Sequence, residues 1–516
     1  MSSSTVVVEP KLRVARSGMG WAALIAAAVV VLLIGFANGY GYMSDELYFL
    51  ACAAHPAWGY ADLPPILPWL TWLALHTLGS SLYAIRLYPA LAMGATVVLT
   101  ALLARELGGR RRAVITAAVL AAVTPVLYGF GHILSTNALD MPLWVAAVLI
   151  LVRIEKTGIG SLWLAFGAVV GVALLNKYTM AFFLAALIVG MLPTPWRRYF
   201  VSRWFWMGVG VAFLIVLPNL VWQARHAFPF LQLQINNRVN HHNVILPPLQ
   251  FLGAQAYLAN PFSYLFVLAG AVFLFTPAMR RFRALGFTFV AFVALMFALH
   301  ARDYYLAAVY PMMFAAGAVA VERWMTGRWA WCGAVAYLVL AVLLCGLGLP
   351  IMLPMLPPAG LAAYIAGSPL HRTEPENLPH TVLPSYIADQ LGWREPVELV
   401  ARYYNSLPPE ERAKTAIMGN FYGQAAAIDY YGPALGLPKA IGGHHSYWFW
   451  GSRGYTGESV ILMDAWPGTL RHCASVTVVG QVIAPWSRPD EHPVIYHCRG
   501  LDYNLTQEWE RFRHFD

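Results

Sequence analysis

Charged side chains are scarce in this 516-residue sequence. Asp, Glu, Lys and Arg make up only 11% of the residues, whereas hydrophobic residues make up 59%. An average soluble domain carries about 25% charged residues. So little charge excludes a soluble globular enzyme, an intrinsically disordered chain and a disulfide-rich secreted scaffold, and it indicates a protein of the membrane.

Cysteine is rare as well, with five residues and no Cys-x-x-Cys pair. This spacing excludes a zinc ribbon and a dithiol redox motif. The sequence also lacks an internal repeat of fixed period. Its apolar segments are continuous and do not alternate apolar with polar residues, which excludes a transmembrane β-barrel. A polytopic helical membrane protein is the class that remains.

Long apolar runs recur through the first two thirds of the chain. A spanning helix needs about 20 mostly apolar residues, and eleven runs of this kind are present. The segment 63–79 is apolar but broken by prolines; we interpret it as an interfacial or re-entrant helix, with a twelfth span as the alternative. The predicted fold class is an all-α polytopic membrane domain of about 11–13 spans, followed by a small α/β extracytoplasmic domain. The eleven runs lie at 20–37, 82–104, 113–130, 139–152, 160–176, 178–193, 204–222, 261–278, 284–300, 304–321 and 329–349.

The distribution of Lys and Arg predicts the orientation. A cytoplasmic N-terminus, including Lys11, Arg13 and Arg16, gives seventeen basic residues at cytoplasmic helix ends and five at outer ends. Cytoplasmic loops are enriched in Lys and Arg, so we reject the reverse orientation. The net charge of +9 is then mostly a topology signal, and nucleic acid is not an expected partner. The five outer residues are Arg86, Lys177, Arg225, Arg238 and Arg302.

The composition changes after a proline-rich stretch at 350–358. We predict a transmembrane domain at 1–353 and a soluble α/β domain at 354–516, which eleven spans place outside the cytoplasm. Helices are expected at 395–406 and 422–431, and strands at 415–419, 460–463, 475–479 and 494–497. Cys473 and Cys498 lie in this domain, where they either form a disulfide or stay unpaired.

The first candidate catalytic signal is the acidic pair Asp45-Glu46, just after the first run. Neighbouring carboxylates on a helix point in different directions, so one can face a cavity while the other caps the helix or pairs with a base. A carboxylate facing a cavity can deprotonate an acceptor hydroxyl or amine during group transfer. Asp45 and Glu46 are therefore the candidate catalytic residues, and a solvated helix cap is the alternative.

Further polar residues lie at predicted outer helix ends. Ionisable groups near lipid are costly and rarely persist without a partner or a function, and cations at the outer membrane boundary suit a lipid phosphate. No cofactor and no metal site is predicted with certainty, although adjacent His241 and His242 could bind a divalent metal with Asp62. The candidate substrate and donor-phosphate residues are Asp62, Asp140, Lys177, Arg238, His241, Arg302 and Tyr304.

Together these motifs resemble the family 39 glycosyltransferases, which include the protein O-mannosyltransferases and the aminoarabinose transferases. The resemblance rests on the pair Asp45-Glu46, on Asp62 before Pro64-Pro65, on Asp140 before Pro142, on Asp303-Tyr304-Tyr305, and on the outer-domain stretches 419–432 and 445–451. It implies a C-type membrane fold in a bacterial protein of the inner membrane, and an inverting transfer of a sugar from a polyprenyl-phosphate donor to a cell-envelope acceptor. Asp45 is then the candidate general base, and Lys177, Arg238 and Arg302 are candidates for the donor phosphate.

The sequence departs from this family in two places. Aminoarabinose transferases carry Glu-Lys before the two prolines, where this chain has Asp62-Leu63, and the missing lysine argues against aminoarabinose transfer. The longest outer loop is too short for the β-trefoil insert of the eukaryotic protein mannosyltransferases. Three other functions stay open: a transporter or flippase for a lipid-linked substrate, a non-catalytic membrane scaffold, and a different transfer from a lipid-linked donor.

Overall fold

The computed structural model describes residues 18–368, 376–377, 381–465 and 467–516. Lys11, Arg13 and Arg16, which contribute to the predicted orientation, lie outside these residues. The chain forms two compact units: the first comprises 1–37, 86–218 and 245–355, and the second comprises 38–85, 219–244 and 356–516. Each unit consists of segments that are distant in sequence.

The first unit is helical. Its principal helices follow the apolar runs, and several begin with proline at the first or second position, where the missing N–H removes no helical hydrogen bond. The α-helices are Met19–Gly35, Leu82–Glu106, Arg111–Ala122, Pro125–His132, Thr136–Thr157, Leu162–Asn176, Met180–Met191, Arg203–Arg225, Pro248–Ala259, Pro261–Phe275, Arg283–Ala298, Tyr310–Trp324 and Arg328–Met352, and 3-10 turns cover Pro195–Val201, Pro277–Phe282 and Asp303–Val309.

Within the described residues, six helices are long and apolar enough to cross a membrane, or up to nine if each of three bent helix pairs is one span. The expected number was 11–13. The runs at 20–37 and 160–176 form helices of only 17 and 15 residues. The runs at 113–130, 178–193 and 261–278 are long enough only when each is counted as part of a bent helix pair. The prediction of a polytopic helical membrane domain is confirmed.

Two glycines allow close contact between the helices Leu162–Asn176 and Arg203–Arg225. A Cβ atom on Gly167 would lie 2.0 Å from the carbonyl oxygen of Gly208, and a Cβ on Gly208 would lie 2.3 Å from that of Trp163. Small residues at helix crossings let backbones approach closely, which strengthens van der Waals packing where lipid removes the hydrophobic driving force.

Glu155 joins three segments at one end of the first unit. Its buried carboxylate lies 2.9 Å from Arg198 Nη2 and 3.3 Å from Arg281 Nε, and it accepts a hydrogen bond from Tyr199 Oη at 2.7 Å. The two arginines belong to the predicted cytoplasmic set. A buried carboxylate needs such partners because its charge is otherwise poorly solvated.

The second unit contains a four-stranded mixed sheet. Its strands are β1 (Thr415–Gly419), β2 (Ser459–Met463), β3 (Cys473–Gln481) and β4 (Val494–Leu501), in the order β1-β2-β4-β3. β1 and β2 are parallel, with Thr415 opposite Ser459, whereas β4 is antiparallel to both β2 and β3. All four predicted strands are present, and the expected small α/β fold is confirmed.

The second unit also contains helices and short 3-10 turns. The expected helices at 395–406 and 422–431 are observed as Arg394–Ser406 and Tyr422–Tyr431. The segment 63–79 forms the 12-residue helix Ile66–Thr77. The other helices are Ser44–Ala53, Pro229–Val239, Pro358–Ala366, Ser385–Ala388, Pro409–Lys414, Ser446–Trp450 and Pro467–Leu470, with 3-10 turns at Pro433–Leu435, Pro489–Glu491 and Trp509–Phe512.

Cys473 and Cys498 form a disulfide between β3 and β4, with their Cα atoms 5.5 Å apart. The sequence left this pairing open. Cys498 is also part of the apolar core of the sheet, together with Met418, Val460 and Leu462. The disulfide therefore links the edge strand β3 to the centre of the sheet.

The second unit contains more of the chain than the predicted C-terminal domain. The sequence placed the boundary between 353 and 354, and the last segment of the second unit begins at 356. This unit, however, also contains 38–85 and 219–244, which were assigned by sequence to the transmembrane domain. Asp45, Asp62, Arg238 and His241 therefore belong to the same unit as the sheet.

Candidate functional site

Asp45 and Glu46 lie in the first turn of the helix Ser44–Ala53. Glu46 is fully buried, and its carboxylate accepts a hydrogen bond from the backbone N–H of Met43 at 3.1 Å. Asp45 is partly exposed. The two carboxylates thus have different surroundings: Glu46 caps the start of the helix, and Asp45 is accessible at its N-terminus, where the helix dipole favours negative charge.

A group of polar side chains, which we call the Asp45 cluster, surrounds this helix start. Tyr422 Oη donates a hydrogen bond of 2.7 Å to Asp45 Oδ1. The hydroxyl of Ser44 donates to Asp389 Oδ2 at 2.8 Å, and its backbone N–H donates to Asp389 Oδ1 at 3.2 Å. Arg488 Nη1 lies 3.5 Å from Asp389 Oδ2. The C-terminal residues Tyr422 and Asp389 therefore hold Asp45 and its neighbour Ser44, and Arg488 pairs with Asp389.

Removal from bulk water raises the pKa of Asp45, and the hydrogen bond from Tyr422 opposes that rise. Burial also raises the pKa of Asp389, with Arg488 acting in the opposite direction. A carboxylate with a raised pKa is a stronger base than one in water, and this favours proton abstraction near neutral pH. The cluster has the protonation chemistry expected of a general base.

Asp62 lies beside a second polar connection in the same unit. Its Oδ1 accepts a hydrogen bond from Tyr48 Oη at 2.8 Å. The same Tyr48 hydroxyl oxygen accepts a hydrogen bond from the backbone N–H of Ser446 at 3.2 Å. The Tyr48 ring centroid is 4.9 Å from that of Tyr422. Burial raises the pKa of Asp62 to about 7, against the effect of the Tyr48 hydrogen bond. Tyr48 thus connects Asp62 to the Asp45 cluster.

In the first unit, Asp140 and Lys177 lie in a group that we call the Lys177 cluster. Asp140 is buried and accepts hydrogen bonds from Asn176 Nδ2 at 3.2 Å and from Thr179 Oγ1 at 2.8 Å. Lys177 Nζ donates to Asn137 Oδ1. Asp140 therefore holds the chain on both sides of Lys177, and the ammonium group is fixed at the end of the helix Leu162–Asn176.

Tyr304 and Arg302 belong to the Lys177 cluster as well. Lys177 Nζ is 5.6 Å from the ring centroid of Tyr304 and 4.8 Å from that of Tyr305, and such cation–π contacts stabilise an ammonium group. Arg302 Nη1 donates to Tyr304 Oη at 3.0 Å. Two cations and two phenols are thus grouped together, a combination that can bind a phosphate through charge-assisted hydrogen bonds.

Arg238 and His241 lie in a different place within the second unit. Both are exposed, Arg238 in the last turn of the helix Pro229–Val239 and His241 just beyond it at a φ of 50°. His242, the neighbour of His241, lies 3.5 Å from Glu376. The structure brings four predicted residues together in the Lys177 cluster, and it places Arg238 and His241 on a separate exposed segment.

Among the described residues, one group of His and acidic side chains is compact enough to hold a metal ion: His444, His514 and Asp516, with possible ligand atoms within 4.8 Å of one another. His444 Nδ1 accepts the backbone N–H of Tyr422 at 3.3 Å, so its proton is on Nε2, which faces the backbone oxygen of Asp516 at 3.2 Å. A metal at Nε2 would have to displace that proton. The predicted alternative site at Asp62 and His241-His242 is not among the compact groups.

Sequence reasoning missed several residues of the Asp45 cluster. Tyr422 lies 377 positions from Asp45 along the chain, and Asp389 lies 345 positions from Ser44. No local spacing marks either residue. Tyr422 does lie within the 419–432 stretch that carried the family resemblance, which was the only available signal. His445 is buried and stacks on Tyr422, with the ring centroids 5.1 Å apart.

Comparison with known proteins supports this picture. A family model described as dolichyl-phosphate-mannose-protein mannosyltransferase matches residues 62–222. The match begins at Asp62 and includes Asp140 and Lys177, so it confirms the resemblance to this group over about a third of the chain. No curated protein matches the sequence.

Several solved structures are similar to this chain. ArnT from Cupriavidus metallidurans bound to undecaprenyl phosphate has 16% identity and a TM-score of 0.61, covering 93% of this chain and 98% of its own. The arabinofuranosyltransferase AftD from Mycobacteria has 15% identity and a TM-score of 0.52; the match covers 94% of this chain and 40% of AftD. The oligosaccharyltransferase AglB from Archaeoglobus fulgidus, in complex with an inhibitory peptide and a dolichol-phosphate, has 13% identity and a TM-score of 0.51, covering 81% and 64%.

These similarities confirm the predicted fold. The chain has the C-type fold that these membrane glycosyltransferases share, including a helical membrane part and a C-terminal α/β part. At such low identity the comparison defines the fold, and the function has to be argued from the site.

Proposed function

We propose that this protein is an inverting membrane glycosyltransferase. It transfers a sugar from a polyprenyl-phosphate donor to a cell-envelope acceptor, a lipid, glycan or protein, at the outer face of a bacterial inner membrane. The fold supports a membrane glycosyltransferase with a polyprenyl-phosphate donor, since the similar structure of ArnT has undecaprenyl phosphate bound and that of AglB is in complex with a dolichol-phosphate. The observation on which the proposal rests is Asp45, a half-buried residue at a helix N-terminus whose carboxylate accepts a hydrogen bond from Tyr422.

Asp45 is proposed as the general base. Its carboxylate removes the proton from the acceptor hydroxyl or amine as the acceptor oxygen or nitrogen attacks the anomeric carbon of the donor. The lipid phosphate leaves from the opposite face of that carbon, so the configuration inverts. Glu46 caps the start of the helix on which Asp45 lies. Asp62 is proposed as a further carboxylate of the substrate site, where it accepts a hydrogen bond from Tyr48.

The Lys177 cluster is proposed to bind the donor phosphate. The phosphate leaves as an anion, so cations that stabilise its charge can replace a general acid. Lys177 and Arg302 supply that charge, Tyr304 supplies a hydroxyl, and Asp140 holds the chain around Lys177. A polyprenyl chain stays in lipid, so its phosphate lies at headgroup level. Arg238 and His241, on their exposed segment, are proposed to attract anionic lipid headgroups.

Replacement of Asp45 by asparagine tests the proposal. Asp45→Asn keeps the shape of the side chain and removes its basicity, so transfer should fall by about 10²–10⁴-fold while the donor still binds. Release of polyprenyl phosphate from a panel of polyprenyl-phosphate sugars, measured with purified protein, reports the transfer. Glu410→Gln, a change at an exposed carboxylate in the helix Pro409–Lys414, is the control. Equal transfer by both variants would exclude Asp45 as the base.

A further inference from the structure

The second unit contains a cavity of about 450 Å³. This volume is within the range of small-molecule sites, about 300–1,000 Å³. Three segments of the unit contribute to it: the loop after the helix Ser44–Ala53, the chain around Trp222, and the helix Ser446–Trp450. Its walls are formed by Ala54, His55, Pro56, Ala57, Gly59, Tyr60, Trp222, His226, Ser446, Phe449 and Trp450.

Two indole–imidazole stacks lie in the walls. The ring centroids of His55 and Trp450 are 4.3 Å apart with an angle of 18° between the planes, and those of Trp222 and His226 are 4.1 Å apart at 21°. A Cβ on Gly59 would lie 2.6 Å from the Trp222 ring, so a glycine is required for the loop to pack against this indole. The aromatic walls are therefore held in place by their neighbours.

The cavity lining is largely apolar and aromatic, with a few polar side chains: His55, Tyr60, His226 and Ser446. It includes no Asp, Glu, Lys or Arg. His226 Nδ1 lies 2.8 Å from the carbonyl oxygen of Trp222; because a carbonyl only accepts, Nδ1 carries a proton and donates it to that oxygen. Burial lowers the pKa of His55, as does the nearby charge of Arg453. The lowered pKa favours a neutral His55, and a phosphate would find no Lys or Arg among the lining residues.

These features suit the ring of a neutral sugar. The C–H bonds on one face of a sugar ring carry a weak positive charge and pack favourably against the electron-rich face of an indole. Sugar hydroxyls both donate and accept hydrogen bonds, so they can pair with the hydroxyl and imidazole groups of the lining. A prenyl chain would fill the same space but offers no hydrogen-bonding group to these side chains.

The cavity is also connected to the proposed catalytic residues. Ser446 lies in its wall, and the backbone N–H of Ser446 donates to Tyr48 Oη at 3.2 Å. Tyr48 donates to Asp62 and packs against Tyr422, the hydrogen-bond partner of Asp45. A ligand in the cavity would therefore lie against a residue one hydrogen bond away from Tyr48.

We infer that this cavity is the binding site for a neutral sugar ring of the acceptor, stacked against Trp450 or Trp222. That this sugar belongs to the acceptor rests on the proposed function. That the cavity binds a neutral sugar is argued from the lining residues alone and does not depend on the proposed function. The inference implies that the acceptor is a glycan or a glycolipid, a narrower class than the cell-envelope acceptors considered above.

Direct binding tests the inference. The full-length protein is placed in lipid nanodiscs, without maltoside detergents, because their head groups are themselves sugars. Saturation-transfer NMR is then recorded with methyl glycosides of glucose, galactose, mannose and arabinose, and farnesol is added as a competitor that represents a prenyl chain. At least one glycoside should bind in the absence of any donor, and farnesol should not displace it.

Variants assign the binding to the cavity. Trp450→Ala should weaken glycoside binding at least about fivefold, because it removes one stacking surface. Trp72→Ala is the matched control: Trp72 pairs with His76 at a ring distance of 4.2 Å and is exposed, but it does not line the cavity. If Trp450→Ala lowers the thermal stability of the protein, Trp450→Phe and His55→Ala replace it. Binding that is equal in the cavity variants and in Trp72→Ala would overturn the inference, as would no binding of any glycoside or displacement by farnesol.

Failure of the inference can be distinguished from failure of the proposed function. If the protein transfers sugar but its glycoside binding does not depend on the cavity residues, the cavity assignment is wrong and the transferase function stands. If glycosides bind through Trp450 but no donor releases its lipid phosphate, the sugar site stands and the transferase function is wrong. Asp45→Asn should bind the glycosides as the unmodified protein does.

Discussion

At the level of single residues, the interaction between Asp45 and Tyr422 has the clearest chemical consequence. The phenol donates to the carboxylate at 2.7 Å and so favours its charged form. Tyrosine is an effective donor here because its hydroxyl is held by the packing of its ring between Tyr48 and His445. Burial raises the pKa of Asp45, and a residue of the C-terminal α/β part opposes that rise.

Replacement of Tyr422 by phenylalanine should change the pH dependence of transfer. Without the hydrogen bond the pKa of Asp45 rises further, so the base is protonated at a pH where it was active before. The acidic limb of the kcat/KM profile should move to higher pH, with a loss of about tenfold at the acidic end that diminishes as pH rises. The measurement is a pH–rate profile with the exposed Tyr83→Phe as control. Superimposable profiles for the two variants would contradict it.

Replacement of Lys177 should affect donor binding. Lys177→Met keeps most of the apolar stem and removes the charge, so donor affinity should fall by about 10- to 100-fold, the value of a hydrogen bond to a charged group. The expected signature is a raised KM for the donor together with a lowered kcat, because Lys177 is proposed both to bind the phosphate and to stabilise its charge as it leaves. Lys156→Met, at a lysine paired with Glu106, is the control. Equal KM values for the two variants would argue against a phosphate site at Lys177.

The residues that could be predicted from sequence are those with a local pattern. Asp45 and Glu46 were found because two adjacent acids after an apolar run are unusual, and Lys177 because a lysine at an outer helix end is rare. Tyr422, Asp389 and Arg488 have no such pattern, and their role arises only from contacts across hundreds of residues.

At the level of secondary structure elements, the disulfide between β3 and β4 has a measurable role. Closing a loop of 25 residues should stabilise the folded state by about 3 kcal/mol, largely by restricting the unfolded chain. The variant Cys473→Ala/Cys498→Ala should therefore unfold at a lower temperature and be cleaved faster by trypsin than Cys332→Ala, which removes an exposed free cysteine. Unchanged melting and proteolysis would show that the sheet does not need this link.

Elements were easier to predict than their arrangement. The four strands are short apolar segments with turn residues on both sides, and a local pattern of this kind is sufficient to recognise a strand. The strand order β1-β2-β4-β3 depends on pairing between distant segments, which the pattern does not encode. The bend in the run at 113–130 has a local cause instead: Pro125 begins a new helix, and the two helices meet at 58°.

At the level of the whole molecule, the distribution of basic residues predicts that the N-terminus and the turn before the helix Arg328–Met352 are cytoplasmic and that residues 354–516 are outside. An impermeant maleimide tests this in intact cells. In a Cys332→Ala background, a cysteine introduced by Gly327→Cys, at an exposed position, should be labelled only after permeabilisation, whereas one introduced by Gln507→Cys should be labelled without it. The opposite pattern would reverse the orientation and move the proposed reaction to the cytoplasmic side.

The two compact units could not be predicted from the sequence in their full extent. Apolar runs and the proline-rich stretch mark the change near 353, but segments 38–85 and 219–244 also join the second unit. Their membership follows from contacts such as the hydrogen bond between Gln223 and the Tyr60 carbonyl and the one between Asn236 and the Phe515 carbonyl. Neither composition nor periodicity reports such contacts.

The distance in sequence between Asp45 and Tyr422 has a consequence for biosynthesis. After the ribosome has added Asp45, 377 further residues follow before its hydrogen-bond partner exists. At a rate of about 5–20 residues per second this takes roughly 20–75 s, during which the early helices can already be in the bilayer. A nascent chain therefore passes through translocation with an incomplete Asp45 cluster, and translation that stops before residue 422 yields a membrane-inserted product in which the proposed base lacks its donor.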